Sequence, residues 1–170
     1  MARLLYLLRH GKSSWADEGL DDVDRPLARR GREAGERLAR HFEQETISPD
    51  LVLCSPALRA RQTLAAVRET LPDGTAVEEA PWLYREGAAT ILRKLRELPD
   101  DVDSVMLVGH NPELQAVALA LAGSGDELER LRAKLPTGAL ATLTISAPSW
   151  SDVDEDSAEL TAFVVPRDLP

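Results

Sequence analysis

The stretch RLLYLLRHGKSSW, residues 3–15, decides the fold. From Leu4 to Leu8 it is apolar at every position, around Tyr6. Continuous rather than alternating hydrophobicity suits a strand of a mostly parallel sheet, covered on both faces. That run stops on Arg9, His10 and Gly11. A cation, an imidazole and a glycine directly after a buried strand mark either a solvated loop or a site at the strand's carboxyl end.

Outward from this stretch the same grammar recurs. Residues 12–25 are polar and rich in turn formers, so they read as a loop. Leu27, Gly31, Ala34, Leu38 and Phe42 recur every three or four residues, a helical stripe. Leu51 to Cys54 is a second buried strand. Ser55-Pro56 then reads as a helix cap followed by proline at the first helical position. The stripe of that helix is Ala57, Ala60, Leu64, Val67 and Leu71. Ala76 to Glu79 suggests a short strand, and Ile91, Leu92, Leu95 and Leu98 an amphipathic helix ending near Pro99. Ser104 to Val108 is a third buried strand, ending on Gly109-His110, and Asn111-Pro112 repeats the cap-plus-proline pattern before a helix through Leu121. A further helix is expected over Asp126–Lys134, and strands over Ala139–Ile145 and Glu159–Val165. The acidic, serine-rich segment 148–158 between those strands reads as a solvated excursion.

Strands alternating with helices imply an α/β fold, a three-layer α/β/α sandwich with a mostly parallel central sheet. The chain of 170 residues is expected to form a single domain, 1–170. Its formal charge is −9, from 29 acidic and 20 basic residues, which disfavours nucleic acid and anionic membrane as partners. The first apolar run is too short for a membrane span, and the lone Cys54 excludes an intrachain disulfide. These features predict a soluble, cytoplasmic protein.

In open sheets of this kind ligands bind outside the carboxyl ends of strands. Three such ends carry Arg9-His10, Ser55 to Arg59, and Gly109-His110. Gathered in one crevice, Arg9 and Arg59 offer forks that match phosphate oxygens. Helix N-termini after Ser55 and Asn111 add backbone N–H donors, which makes Asn111 a candidate phosphate contact. A central imidazole can attack phosphorus and form a covalent phosphohistidine. Gly11 would let the backbone approach the phosphate closely. Lys12 and Ser13 are open to either substrate contact or plain solvation, and His41 sits in an amphipathic helix as a structural residue. Four residues separate Cys54 from Arg59 and six separate it from Arg61, neither of them the five of a cysteine phosphatase loop, and Pro56 removes one N–H from any such cradle. It reads as a buried structural cysteine. No His pair has metal-ligand spacing, so neither a metal nor a cofactor is expected.

The phrases LLRHGKSSW, SPALRARQTL and LVGHNPEL resemble the histidine phosphatase superfamily, also called phosphoglycerate-mutase-like. DRPLARRGREAG and VGHNPEL are similar to the SixA-type phosphohistidine phosphatases within it. The resemblance runs in order along nearly the whole chain. It implies His10 as nucleophile, Arg9 and Arg59 as phosphoryl ligands, and His110 as the second histidine bonded to the transferred group. It also points to Glu86, in WLYREG, as the nearest match to a general acid, although SixA-like members often lack one there; an exposed carboxylate at a helix start is the competing reading. The implied partner is a phosphorylated substrate, including a phosphohistidine-bearing signalling protein. A small-molecule phosphomonoesterase, a phosphomutase and a non-catalytic phospho-ligand module remain as alternatives.

Overall fold

The computed structural model describes residues 2–170. Seven strands, β1 (Arg3–Arg9), β2 (Leu51–Cys54), β3 (Ala76–Glu79), β4 (Ser104–Gly109), β5 (Ala122–Ser124), β6 (Leu140–Ile145) and β7 (Ala158–Val164), form one sheet in the order β3-β2-β4-β1-β6-β7-β5. Strands β3, β2, β4 and β1 are mutually parallel; β6 is antiparallel to both β1 and β7, and β5 is parallel to β7. Only β6 therefore runs against the rest. This is the mostly parallel α/β fold expected from the continuous apolar runs.

Five α-helices cover the sheet: α1 (Arg29–Glu45), α2 (Leu58–Val67), α3 (Ala88–Arg96), α4 (Glu113–Leu121) and α5 (Leu128–Ala133). Side chains of a strand alternate between faces. Leu5 and Leu7 of β1 accordingly pack with Leu53, Val105 and Leu107 against α3, α4 and α5. Tyr6 and Leu8 pack with Val52, Cys54, Met106 and Val108 against α1 and α2. Both faces are dry, which is why β1 has no polar position between Arg3 and Arg9.

Three local expectations are corrected. Ser55-Pro56 does not begin a helix: α2 starts at Leu58 after Ala57, and no side chain caps it. The Ser55 hydroxyl instead accepts the Ala57 N–H at 3.2 Å and has a second partner described below. Segment 148–158 is not simply solvated. Trp150 is wholly buried, its Nε1–H donates to the Val102 carbonyl at 2.6 Å, and Val153 is buried beside it. The acidic residues stay exposed around those two anchors. Finally β5, a three-residue strand directly after α4, had no separate signature, because Ala122 continues the apolar run of the helix.

Candidate active site

The register of the parallel strands builds the site. Arg9 of β1 lies opposite Gly109 of β4, and the His10 N–H donates to the Gly109 carbonyl at 3.0 Å. His10 and His110 therefore emerge side by side, with ring centroids 5.1 Å apart. On the other side of β4, Cys54 is opposite Val108 and the Ser55 N–H donates to the Val108 carbonyl. All three strand ends thus reach the same level, held by backbone hydrogen bonds.

Each imidazole is held by a neighbour. Nδ1 of His10 is 2.6 Å from the Gly11 carbonyl oxygen. A carbonyl only accepts, so Nδ1 carries the proton and Nε2 carries the lone pair. His110 Nε2 is 2.7 Å from the Ser55 hydroxyl, and the edge of Tyr84 lies against its ring. The Gly11 N–H donates to Thr63 Oγ1, which donates in turn to the Arg59 carbonyl; the His10 loop and the first turn of α2 are tied together.

At Gly11 the backbone also comes close to α1. A Cβ on it would sit 3.2 Å from the backbone of Gly31 in α1, and a Cβ on Gly31 would sit 2.3 Å from the Lys12 carbonyl oxygen. The two glycines let α1 pass directly behind the His10 loop.

Arg59 is 7% exposed and reaches the cavity of about 190 Å³ that His10 and His110 line. Its principal protein partner is Asp22, a residue the sequence did not single out. Nη1 donates to the Asp22 carbonyl at 2.8 Å and Nη2 to its carboxylate at 3.0 Å. The same carboxylate accepts from Tyr84 and Arg25 and pairs with Arg85 at 3.2 Å. Burial raises the Asp22 pKa, but hydrogen bonds from Tyr84, Arg59 and Arg25 outweigh it and hold the carboxyl well below its usual range. Asp22 is thus a fixed anion and no proton donor.

The expected site residues divide as follows. His10, Arg59, His110 and Asn111 share the cavity. The Asn111 amide is engaged by Gln115 and the Leu135 carbonyl, so its side chain is committed to holding the loop. Arg9 turns elsewhere: its Nη1 donates to the Leu135 carbonyl at 2.9 Å, and it lines a second cavity against α1. Glu86 is exposed and outside the His10 cavity, whereas Glu113, at the start of α4, lines it. Arg61, two residues beyond Arg59, is exposed and faces a cleft beside Cys54. Cys54 is buried, and burial pushes its thiol up to about 12, which makes it a poor nucleophile. Among the described residues no group of three or more His, Cys, Asp or Glu is arranged to hold a metal ion, and no helix is long and apolar enough to cross a membrane.

Burial first, then the charges of Arg59, Arg9 and Arg25, lower the His10 pKa from 6.5 to about 4, against the opposing Gly11 hydrogen bond. Burial and the proximity of His10 and Arg59 take His110 to about 3. Both rings are neutral at pH 7, so the His10 lone pair is available without a base to remove a proton. An NMR titration of the free protein should therefore find His10 changing charge near pH 4. The unfolded chain protonates this histidine near 6.5 and the folded one does not. Its contribution is thus fully present above pH 6.5 and is lost as pH falls towards 4. A His10 midpoint near 6.5 would show that the pocket does not hold the ring neutral.

Comparison with known proteins agrees with this geometry. Residues 5–84 match the histidine phosphatase superfamily (branch 1). An uncharacterized protein of Mycobacterium tuberculosis is 40% identical over 94% of this chain and all of its own length. Phosphohistidine phosphatase SixA of Escherichia coli is 31% identical over 64% of this chain and 67% of its own. The solved structure described as the "putative phosphohistidine phosphatase SixA" from Agrobacterium tumefaciens superposes with a TM-score of 0.82 at 32% identity, covering 98% of this chain and 99% of that one. The chain belongs to the histidine phosphatase superfamily. It is a phosphatase, acting on phosphorylated substrates, with SixA-like proteins among its structural neighbours.

Proposed function

We propose that the protein hydrolyses phosphoryl groups through a covalent intermediate on His10, and that phosphohistidine in proteins is its preferred substrate. The observation that carries this is the Nδ1 contact with the Gly11 carbonyl, which leaves Nε2 as an unprotonated nucleophile beside Arg59 and His110. Nε2 attacks phosphorus, the N–P bond forms and the bond to the leaving group breaks. Water then attacks phosphorus, the N–P bond breaks and His10 regains its lone pair. Arg59 and His110 lie where they can stabilise charge on the equatorial oxygens. Arg9 contributes positive charge from the strand end rather than from inside the cavity. The name of the E. coli relative supports the substrate class.

Substrate choice turns on the leaving group. An alkyl phosphate expels an alkoxide and needs a positioned general acid, whereas phosphohistidine expels imidazole, which leaves readily once protonated. Asp22 cannot donate a proton, and Glu86 is exposed and does not line the cavity. Glu86→Gln should keep dephosphorylation of a phosphohistidine protein within a few-fold of wild type. Loss of that activity by more than about a hundredfold, the scale of a general acid, would make Glu86 essential and the substrate reading wrong. One observation favours a second reading: Glu113 lines the cavity, the place a general acid for a small phosphomonoester would occupy. Rates for a phosphohistidine protein, a sugar phosphate and an aryl phosphate, each with wild type and Glu113→Gln, test the choice. A sugar phosphate that is turned over fastest, and collapses in Glu113→Gln, would establish the phosphomonoesterase.

A further inference from the structure

A second cavity, of about 450 Å³, lies on the α1 side of the β1 end and is unused by the reaction as drawn. Six cationic side chains line it: Arg9, Lys12, Arg30, Arg37, Lys134 and Arg167. Glu33 is the single carboxylate on its wall, and that carboxylate is already paired with Arg29 at 3.0 Å. Among the described residues Arg9, Lys12, Arg30, Arg37 and Lys134 have no ion-pair partner, and Arg167 only approaches Asp168 at 4.0 Å. This concentration of unpaired positive charge stands in a chain of net charge −9, so it is not a by-product of overall composition.

The cavity is assembled from four separate segments. Arg9 and Lys12 flank the His10 loop. Arg30, Ala34 and Arg37 are spaced four and three residues apart on one face of α1, and the small Ala34 leaves room between the two arginines. Lys134 and Thr137 come from the connection between α5 and β6, and Arg167 from the segment after β7. Arg9 belongs to both halves of the site. Its charge acts on His10, while its guanidinium faces this cavity with Nη1 held by Leu135 and a buried Nε that has no acceptor.

We propose that this cavity is a second anion subsite, which holds a phosphate group of the ligand other than the one transferred to His10. It opens the same nucleophile to compact, multiply phosphorylated molecules: a chain of linked phosphates, or a second phosphate ester on the same small molecule. Arginine forks and a threonine hydroxyl match phosphate oxygens, and a dense polyanion matches six cations converging on one small volume. The proposal rests on the phosphatase reading only for what happens at His10; the binding itself does not depend on it.

The test uses inorganic tripolyphosphate. Its affinity is measured by calorimetry at low salt for wild type, Arg30→Ala/Arg37→Ala, and Arg68→Ala/Arg93→Ala, the last removing two charges outside the cavity. The cavity variant should bind at least tenfold more weakly, and the control within about twofold of wild type. Wild type and cavity variant should turn over an aryl monophosphate at similar kcat/KM, which shows that the variant is folded and its first site intact. Tripolyphosphate should inhibit that turnover competitively in wild type, with an inhibition constant at least tenfold weaker in the cavity variant. Equal affinity of the cavity variant and wild type, or an equal loss in the control, would overturn the subsite. Purely noncompetitive inhibition would overturn its assignment to the ligand that also occupies the His10 site. If His10 takes no label but the residue dependence of binding holds, the phosphatase mechanism fails and the anion site stands.

Discussion

His10→Ala is expected to lose phosphatase activity by roughly a millionfold, the scale seen when a covalent nucleophile is removed from an enzyme. Brief incubation of wild type with radiolabelled substrate, quenched without acid, should leave phosphate on this residue. Two structural facts set the expectation. The Gly11 carbonyl fixes the proton on Nδ1, so a single nitrogen is free to form the N–P bond. The depressed pKa keeps that nitrogen unprotonated across the neutral range. A phosphoramidate is labile in acid and stable in alkali, so the label should vanish at low pH and survive base. Label that resists acid, or that persists in the alanine variant, would place the chemistry on another residue.

Arg59→Ala should cost at least about 2 kcal/mol of transition-state stabilisation, the scale of deleting one preorganised donor. The variant removes the guanidinium and also leaves Asp22 as a carboxylate beside the incoming phosphoryl group. Arg25, Tyr84 and Arg85 still hold Asp22 in place, so the loss should appear in kcat/KM rather than as unfolding. Arg61→Ala removes an identical charge two residues away from a surface cleft, and should change kcat/KM no more than about threefold. Equal effects from the two substitutions would mean that Arg59 acts only through long-range charge.

The strand ends were legible because physical constraints write them into short stretches. A strand buried on both faces has to be apolar throughout, so a sudden Arg9-His10 or Gly109-His110 stands out. What a loop does is written elsewhere. Segment 12–25 contains Asp17, Asp21, Asp22 and Asp24, and nothing local says which turns inward. Asp22 is selected by Arg59 and Tyr84, 37 and 62 residues away. The direction of a side chain at a chain reversal was equally hidden. Tyr84 and Arg85 face the cavity, Arg85 with a left-handed backbone (φ 68°), while Glu86 in the same phrase faces solvent. Ser55 serves a partner that its own phrase does not announce. Serine before proline signals a helix cap, but its hydroxyl serves His110 across the sheet. Trp150 and Val153 are masked by acidic neighbours in the sequence, yet together they bury the middle of that segment.

The glycines of α1 invert a common rule of protein engineering. Glycine in mid-helix costs about 1 kcal/mol relative to alanine, so Gly31 and Gly35 of α1 look like free opportunities to stiffen the chain. Here the missing methyl groups are the space in which neighbouring backbone and Ala66 lie, with added carbon at 2.3 Å from Lys12 and 2.7 Å from Ala66. Alanine at Gly31 would press on the Lys12 backbone beside the His10 loop, and alanine at Gly35 would press on Ala66 of α2. Two residues that carry no functional group thus constrain how closely α1 can lie against the site.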